Sequence, residues 1–304
     1  MPFSFGDKVD EEKHFIKDKI MKVLVTGATG QLGSDMCRRL EKEGIDHRGV
    51  KHAELDICNK YDVVEYLTAY VPDAVIHCAA YTAVDKAEDE PDLCYAVNAD
   101  GTRNIAEACK RIGSKMIYIS TDYVFDGAGK KFFEVDDSPA PINVYGKSKL
   151  KGEVFIRENM ERYFIVRTSW MFGQKGDNFI KRILTLTEDR KEIRVVADQI
   201  GSPTYTVDLA ALLCEMVQTD QYGIYHATNQ GVCSRREWAQ TILDMTNRHV
   251  VVKPIKTMEY PTKAQRPLNS RLSPNSLIET GFCSLPKWQS AVQRYLEEAD
   301  FVNV

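Results

Sequence analysis

The sequence predicts an α/β fold in which a doubly wound parallel sheet carries a smaller C-terminal lobe, and three observations support this. Between residues 21 and 168, short apolar runs alternate with longer amphipathic stretches. A glycine-rich turn joins the first apolar run to the first amphipathic stretch. After residue 168 the alternation loosens, and turn residues mix with polar side chains. Apolar strands separated by helices favour a parallel sheet with helices on both faces.

The elements of the first part follow one another in strict alternation. The predicted strands are Lys22 to Thr26, His47 to Lys51, Ala74 to His77, Lys115 to Ser120 and Tyr163 to Thr168. The predicted helices lie near residues 32–43, 60–70, 92–112 and 146–161. This order is typical of the Rossmann-type architecture, so residues 21–168 are predicted to form a dinucleotide-binding domain.

The second part, residues 169–304, is predicted to be mainly a substrate-binding lobe. Its short helices are expected near 205–218, 235–247 and 287–299. The polar, turn-rich segments expected to contact the substrate are Asp198–Thr204, Tyr260–Pro267 and Asn269–Pro274. A segment near 197–228 is expected to return to the first domain, with Tyr222 to His226 as an added strand. Residues 1–20 carry no cofactor motif and are interpreted as an N-terminal extension.

Composition excludes several classes of function. The 304 residues are 43% hydrophobic and 28% charged, which is typical of a globular protein, and the formal charge of -4 gives no support for a nucleic-acid partner. No apolar run approaches the ~18 residues that cross a bilayer, and acidic residues interrupt the N-terminus where a secretion signal needs an apolar core. We therefore expect a cytoplasmic protein without a membrane partner.

The cysteines and histidines indicate neither a disulfide framework nor a metal site. The 8 cysteines are scattered without a CxxC pair, and the 6 histidines show no ligand spacing with them. Buried free thiols are the expected state. No metal is predicted.

The glycine-rich turn Gly27-Ala-Thr-Gly30-Gln-Leu-Gly33 predicts a dinucleotide site. It follows a strand and opens a helix, which is the context that gives a glycine spacing this meaning. Glycines let the backbone approach a pyrophosphate, whose charge is met by free amides at the helix N-terminus. The alternative interpretation is a tight turn that serves close helix packing.

Tyr145 and Lys149 form the second motif, and their spacing of four predicts a proton-transfer device. Residues one helical turn apart share a face, so the two side chains can converge on one small molecule. A phenol ionises near pH ~10, and a nearby ammonium favours its ionised form. The alternative is a solvated helix face. Thr121, at the carboxyl end of the strand Lys115 to Ser120, can reach the same pocket and donate to a carbonyl oxygen; its alternative is a hydroxyl that closes the turn after the strand.

These motifs together resemble the extended short-chain dehydrogenase/reductases, which share TGxxGxxG, a Ser or Thr after the fourth strand, and YxxxK. The likeness covers almost the whole chain from Met21 and is more specific than this superfamily. Six motifs in the right order resemble the dTDP-4-dehydrorhamnose reductase family, namely His77–Glu88, Ser120–Gly127, Asn143–Glu153, Arg167–Trp170, Asp198–Thr204 and Arg266–Leu272.

The resemblance implies a reaction. NAD(P)H would deliver hydride to the C4 ketone of dTDP-6-deoxy-L-lyxo-4-hexulose, giving dTDP-L-rhamnose for cell-surface polysaccharide. Tyr145 would protonate the forming alkoxide, Lys149 would tune that phenol and bind the nicotinamide ribose, Thr121 would orient the carbonyl, and Asn98 would support the lysine. Asn98 as an ordinary satisfied helix residue is the alternative.

The resemblance also implies two sets of binding residues. The cofactor set is Gly27, Thr29, Gly30, Gln31, Leu32, Gly33, Lys51, Asp56, Ile57, Ala79, Ala80 and Tyr81, with Tyr145 and Lys149. The substrate set is Thr82, Val84, Tyr123, Trp170, Asn178 and Arg266. Trp170 could instead fill the seam between the two lobes.

Two positions refine the predicted activity. Related dehydratases carry Asp-Glu after the Ser or Thr, whereas this chain has Asp122-Tyr123, which favours ketone reduction over dehydration. Lys51 stands where the family often has aspartate, and a basic residue suits a ribose 2'-phosphate. We therefore predict NADPH as the preferred cofactor, with NADH also accepted. A solvent-facing Lys51 is the alternative, and Glu54 lies nearby in sequence.

Other interpretations of the function stay open from the sequence. One is reduction of a different nucleotide-linked 4-keto sugar, and another is a non-catalytic NADP-binding regulatory subunit. A monomer or a homodimer fits equally. Some family members dimerise around magnesium through acidic residues, but Asp35 and Glu297-Glu298 match that pattern only loosely.

Overall fold

The structure, a computed structural model, describes residues 21–301. The predicted N-terminal extension at residues 1–20 lies outside this range. In the first part the elements are β1 (Lys22–Thr26), α1 (Gln31–Lys42), β2 (Asp46–Val50), α2 (Lys60–Tyr70), β3 (Ala74–His77), α3 (Val84–Ala87), α4 (Pro91–Tyr95), α5 (Thr102–Ile112), β4 (Lys115–Thr121), α6 (Val144–Asn159) and β5 (Tyr163–Thr168).

In the second part most elements are shorter. They are β6 (Met171–Phe172), α7 (Phe179–Leu186), β7 (Glu192–Val196), β8 (Ile200–Gly201), β9 (Thr204–Tyr205), α8 (Thr206–Val217), β10 (Gly223–His226), β11 (Cys233–Ser234), α9 (Arg235–Met245), β12 (Val251–Ile255), β13 (Asn269–Ser270), α10 (Asn275–Glu279) and α11 (Trp288–Glu298). None of the helices in residues 21–301 combines the length and the apolar character that a membrane span requires.

A central parallel sheet confirms the predicted fold class. Six strands lie in the order β10-β5-β4-β3-β1-β2, and every pair is parallel. β1 pairs with both β2 and β3, so the chain reverses its direction of winding at β1. In a doubly wound sheet this reversal opens a crevice beyond the carboxyl ends of the strands, where ligands bind. Thr26 and His77 stand at that edge.

Apolar side chains cover both faces of the sheet. On one face, α1 and α8 pack through residues such as Met36, Leu40 and Leu213. On the other, α2, α5 and α6 pack through Leu67, Ile105 and further residues. A separate core lies in the second part and centres on Trp238.

Most predicted elements are confirmed, with shifts of one or two residues at their ends. The predicted helix 92–112 differs more, because α4 and α5 are joined by a π-helical turn at Ala96–Gly101. α7, β7 and β12 were not predicted. α7 has only 8 residues, and β12 pairs only with β7 and contains Pro254, which is typical of an edge strand.

All eight cysteines are free thiols, as expected, but the expectation that they are buried holds only in part. Cys58 and Cys283 are exposed, whereas Cys94, Cys109, Cys214 and Cys233 are buried. Cys58 lies in a surface turn and Cys283 in an exposed irregular segment.

Candidate active site

The glycine turn after β1 forms an open cradle at the start of α1. Gly27 has φ +66°, a conformation that favours glycine, and a Cβ there would lie 2.7 Å from the Ala79 nitrogen. α1 begins at Gln31 with Gly30 as its N-cap, and no side chain caps the first amides. Thr29 and Gly30 are exposed. The cradle therefore offers backbone N–H groups to an anion, as a dinucleotide pyrophosphate requires.

Asn98 connects the loop after β3 to α6. It lies in the π-helical turn, where its side chain is buried and its Oδ1 accepts a hydrogen bond from the Tyr81 nitrogen at 2.8 Å. Its Nδ2 donates to the Tyr81 carbonyl and to the Ser148 hydroxyl, both at 3.0 Å. Ser148 in turn donates to the Tyr145 carbonyl at 2.7 Å. Asn98 thus fixes α6 at the position of the proton-transfer pair.

Tyr145 and Lys149 lie on the first two turns of α6. Asn143 caps this helix by accepting from the Gly146 nitrogen at 2.8 Å. Lys149 is 2% exposed, and its Nζ lies 4.0 Å from the centroid of the Tyr118 ring. Tyr145 is partly exposed and packs edge-on against Tyr123, with ring centroids 5.7 Å apart. The phenol therefore faces the crevice while the ammonium is held behind it.

Burial sets the ionisation of the pair. It raises the pKa of Tyr145, the carboxylate of Asp122 adds to this increase, and a hydrogen bond with Thr121 opposes it. Burial also lowers the pKa of Lys149 to about 7, against the opposing charge of Glu153. At neutral pH the phenol is protonated, which is the state a proton donor needs.

Thr121 and Asp122 complete this side of the pocket. The Thr121 hydroxyl donates to Asp122 Oδ1 at 3.0 Å and accepts from the Tyr123 nitrogen at 3.2 Å, so it also closes the turn after β4. Asp122 is 3% exposed, and burial raises its pKa to about 6. Its Oδ2 has no hydrogen-bond partner among residues 21–301. A buried carboxylate oxygen without a partner marks a position where a ligand can donate.

The opposite wall comes from the second part of the chain. Trp170 has φ +49°, which is rare for a residue other than glycine. The Arg235 guanidinium lies 3.7 Å from the centroid of the Trp170 ring. Arg266 forms a bidentate ion pair with Asp85, at 2.9 and 2.7 Å. The wall therefore carries one aromatic face and two guanidinium groups.

The family is decided by a match over nearly the whole chain. The family model described as RmlD substrate binding domain matches residues 21–301. The chain belongs to the RmlD substrate-binding domain family. It is 41% identical over 278 residues to the spore coat polysaccharide biosynthesis protein SpsK of Bacillus subtilis (strain 168), covering 91% of this chain and 97% of that protein. It is 38% identical over 285 residues to a dTDP-4-dehydrorhamnose reductase of Aggregatibacter actinomycetemcomitans, covering 90% and 97%.

A solved structure agrees with the RmlD match. The crystal structure of dTDP-4-dehydrorhamnose reductase from Bacillus anthracis str. Ames in complex with NADP superposes with a TM-score of 0.89. It is 44% identical in sequence, and the match covers 91% of this chain and 99% of that one. The resemblance predicted from the motifs is confirmed.

The remaining positions predicted to bind the cofactor lie along one edge of this RmlD-family sheet. Lys51 follows β2, is exposed, and its ammonium has no ion-pair partner among the described residues. The Glu54 carboxylate is engaged by the Lys51 backbone nitrogen at 3.0 Å. Ile57 is buried, and its carbonyl accepts from the Asn104 side chain at 3.0 Å. Ala79 lies beside the glycine turn, where its nitrogen donates to the Thr26 hydroxyl at 3.2 Å.

The positions predicted to bind substrate are placed less uniformly. Tyr123 is buried against Tyr145, whereas Thr82 is exposed and Val84 begins α3. Asn178 caps α7 by accepting from the Lys181 nitrogen at 3.0 Å, and it donates to the Gly173 carbonyl at 2.8 Å. A contact between Asn178 and a substrate would have to compete with these bonds.

The carboxylates compared loosely with a magnesium site are engaged within the chain. Asp35 is buried and forms an ion pair with Arg38. Arg38 also contacts Glu298, at 3.2 Å. Over residues 21–301, no group of three or more potential ligands has the arrangement of a metal site.

Three residues of the site were not singled out from sequence. Asp122 was considered only because no glutamate follows it. Ser148 lies within the YxxxK segment and was given no role of its own. Arg235 begins a helix in a charged run, which is typical of solvated surface. For Arg235 no pattern in the sequence predicts that its side chain turns inward onto Trp170, because the two residues meet only through the fold.

Proposed function

We propose that this chain catalyses the NADPH-dependent reduction of the C4 ketone of dTDP-6-deoxy-L-lyxo-4-hexulose to dTDP-L-rhamnose, a precursor of surface polysaccharide. The observation that carries this proposal is the placement of Thr121, Tyr145 and Lys149 at the carboxyl ends of the sheet, opposite Trp170. The names of the relatives support the same substrate. NADH is proposed as a second, less favoured cofactor.

The cradle at Gly27–Gly33 fits a dinucleotide, because no side chain caps the first amides of α1. Lys149 would bind the nicotinamide ribose, and Lys51 would face the 2'-phosphate with its free ammonium. When bound, NADPH supplies the hydride that adds to C4 of the sugar. We assign the cofactor to residues 21–168 and the sugar mainly to the later lobe.

The side chains then handle the charge that develops on the ketone oxygen. Thr121 would turn its single hydroxyl proton from Asp122 Oδ1 to this oxygen. Tyr145 would transfer its phenolic proton to the same oxygen, so that the C4 ketone becomes a hydroxyl. Lys149, when protonated, stabilises the phenolate that remains. The phenol regains a proton from solvent after the product has formed. Burial of the pocket strengthens each of these interactions.

A substrate panel tests the proposal. NADPH absorbance is followed with dTDP-6-deoxy-L-lyxo-4-hexulose and with its GDP and UDP counterparts, and NADH replaces NADPH in a parallel series. We expect NADPH loss with the dTDP sugar and a much lower kcat/KM with the other two. Preferential turnover of the GDP or UDP sugar would mean that the natural substrate carries another nucleotide. Consumption with none of them, together with tight NADPH binding, would favour a regulatory subunit.

The setting of the reaction is a further part of the proposal. A cytoplasmic location suits an enzyme that uses NADPH and a nucleotide sugar. We propose a monomer or a homodimer, and sedimentation of the purified chain distinguishes them.

A further inference from the structure

The Arg235 side chain is held in a defined place at the start of α9. Ser234 caps this helix, accepting from the Glu237 nitrogen at 3.0 Å while the Glu237 carboxylate accepts from the Ser234 nitrogen at 2.6 Å. The guanidinium lies 3.7 Å from the Trp170 ring centroid and also within 5.5 Å of the Trp238 ring centroid. Cation–π contact of this kind orients a guanidinium plane without using its N–H donors.

Trp170 is itself fixed beneath this guanidinium. Gly201 approaches the indole so closely that a Cβ would lie 2.9 Å from Trp170 Cε2. Trp170 also stacks on Trp238, with 9° between the ring planes. Arg235 therefore rests on a rigid aromatic support.

The Arg235 guanidinium makes no hydrogen bond and no ion pair with residues 21–301. Burial lowers the pKa of Arg235 to about 10. By contrast, Arg266 has Asp85, and the neighbouring Arg236 donates to the Val252 carbonyl at 3.2 Å. A partly buried cation with idle donors is costly unless a ligand accepts from it.

The nearby charges identify the chemistry of that ligand. Arg235 lies within electrostatic range of Asp122 and Tyr123, both of which border the crevice at Thr121. Asp122 adds a buried carboxylate oxygen, Oδ2, that has no hydrogen-bond partner among residues 21–301. A diphosphate would be repelled by this carboxylate as it ionises, whereas sugar hydroxyls both donate and accept. The combination of an idle donor and an idle acceptor fits a polyol.

We infer that Arg235 is a specificity residue that donates hydrogen bonds to ring hydroxyls of the hexulose, with its guanidinium held on Trp170. This inference rests on the proposed function, since it assumes that the sugar lies between Tyr145 and Trp170. It does not involve Arg235 in proton transfer. Its expected signature is weaker sugar binding with unchanged nucleotide binding.

The test compares Arg235→Met and Arg235→Lys with wild type and with Arg236→Met as the matched control. Methionine keeps much of the packing stem, lysine keeps the charge but loses the planar fork, and Arg236 provides the same charge change one residue away. KM and kcat are measured with the hexulose. Binding of dTDP-L-rhamnose, dTDP and NADPH is measured by calorimetry, and Tm reports folding.

We expect Arg235→Met to raise KM for the hexulose and Kd for dTDP-L-rhamnose by roughly ten- to a hundredfold, as expected for loss of hydrogen bonds from a charged donor. Kd values for dTDP and NADPH, and the Tm, should stay close to wild type. Arg235→Lys should recover only part of the loss, and Arg236→Met should resemble wild type.

Two results would overturn the inference. Equal weakening of dTDP and dTDP-L-rhamnose would assign Arg235 to the diphosphate, and unchanged sugar affinity in a folded Arg235→Met would leave it with no role in binding. Failure of wild type to turn over the hexulose would instead refute the proposed function, and the dTDP-L-rhamnose titration would still decide the role of Arg235.

Discussion

The two walls of the crevice are built in different ways. On the sheet side, Thr121 ends β4, and Tyr145 and Lys149 are one turn apart on α6, so the proton-transfer groups come from two neighbouring elements. On the other side, Trp170 lies in a loop, Gly201 in β8 and Arg235 at the start of α9. These three residues meet through a cation–π contact and close approach. In the proposed reaction, the chemistry therefore depends on local geometry and sugar recognition on long-range packing. We expect that substitutions in the second wall change the sugar preference without disturbing proton transfer.

The largest effect is expected at the sheet-side wall. Tyr145→Phe removes the proton donor and should lower kcat by roughly 10²- to 10⁴-fold, the range typical of general acid catalysis. Binding of NADPH, measured by fluorescence titration, should stay near wild type because the ribose contact assigned to Lys149 remains. Near-normal kcat in this variant would remove Tyr145 from the acid role.

The preference for NADPH over NADH tests a different part of the sheet-side wall. Lys51→Asp replaces a free ammonium with a carboxylate and should lower the ratio of kcat/KM for NADPH to that for NADH by roughly tenfold or more, since one charged hydrogen bond is lost. Lys191→Asp, an equal charge change on an exposed residue far along the chain, is the control. An unchanged ratio in Lys51→Asp would mean that this side chain points into solvent.

A substitution in the opposite wall is expected to change KM for the hexulose and to leave kcat unchanged. In Gly201→Ala the new Cβ would lie 2.9 Å from both Trp170 Cε2 and the Ser270 Cβ, so the indole must move. We expect KM for the hexulose to rise by roughly tenfold, as when about one hydrogen bond is misplaced, with kcat and KM for NADPH little changed.

Gly113→Ala provides the matched control for Gly201→Ala. Gly113 has φ +73°, and a Cβ there meets nothing within 4 Å, so this change strains the backbone without a clash. It should lower Tm and leave KM for the hexulose unchanged. A kcat loss in Gly201→Ala as large as that in Tyr145→Phe would show that the two walls do not act separately.

A separate prediction concerns stability and pH at Lys149. Its pKa is lowered from 10.5 to about 7 in the folded protein, so between these values the unfolded chain binds the extra proton and stability rises with pH. Below about pH 7 the folded state carries the full cost of a buried ammonium.

Lys149→Met should therefore be more stable than wild type at pH 6, as judged by Tm. The difference should shrink as the pH rises from 7 to 10, because wild type gains stability there. Lys147→Met, on the exposed side of the same helix, should show no such trend. A Tm difference independent of pH would contradict the depressed pKa.

The contrast between the walls also explains how far the sequence predicts the structure. The glycine turn, Tyr145 and Lys149 have fixed spacings because strand, turn and helix geometry dictate them, so the sheet-side groups and the parallel fold follow from pattern alone. β7, β12 and α7 were missed because they are stabilised mainly by the later core around Trp238, which no local pattern reveals. The orphan Oδ2 of Asp122 could not be predicted, because it depends on which atoms the fold leaves unpaired.

The position of the Arg235 side chain also could not be predicted from the sequence. The sequence predicts a helix near 235–247, and Ser234 and Glu237 form a capping box at its start. Arg235 differs from Arg236 in its contacts with the Trp170 and Trp238 rings. Trp170 is remote in sequence and Trp238 lies inside α9, so neither contact can be predicted from residues 234–237.

The most direct test of the proposed ketone reduction follows the transferred hydride. The chain is supplied with NADPH carrying deuterium at the transferred position of nicotinamide C4, together with dTDP-6-deoxy-L-lyxo-4-hexulose, and the product is analysed by NMR. If NADPH delivers hydride to the ketone carbon, wild type forms dTDP-L-rhamnose with deuterium at sugar C4. The amount of this product should be greatly reduced in Tyr145→Phe. Deuterium at another carbon, or oxidation of NADPH without label in the sugar, would contradict the proposed reduction.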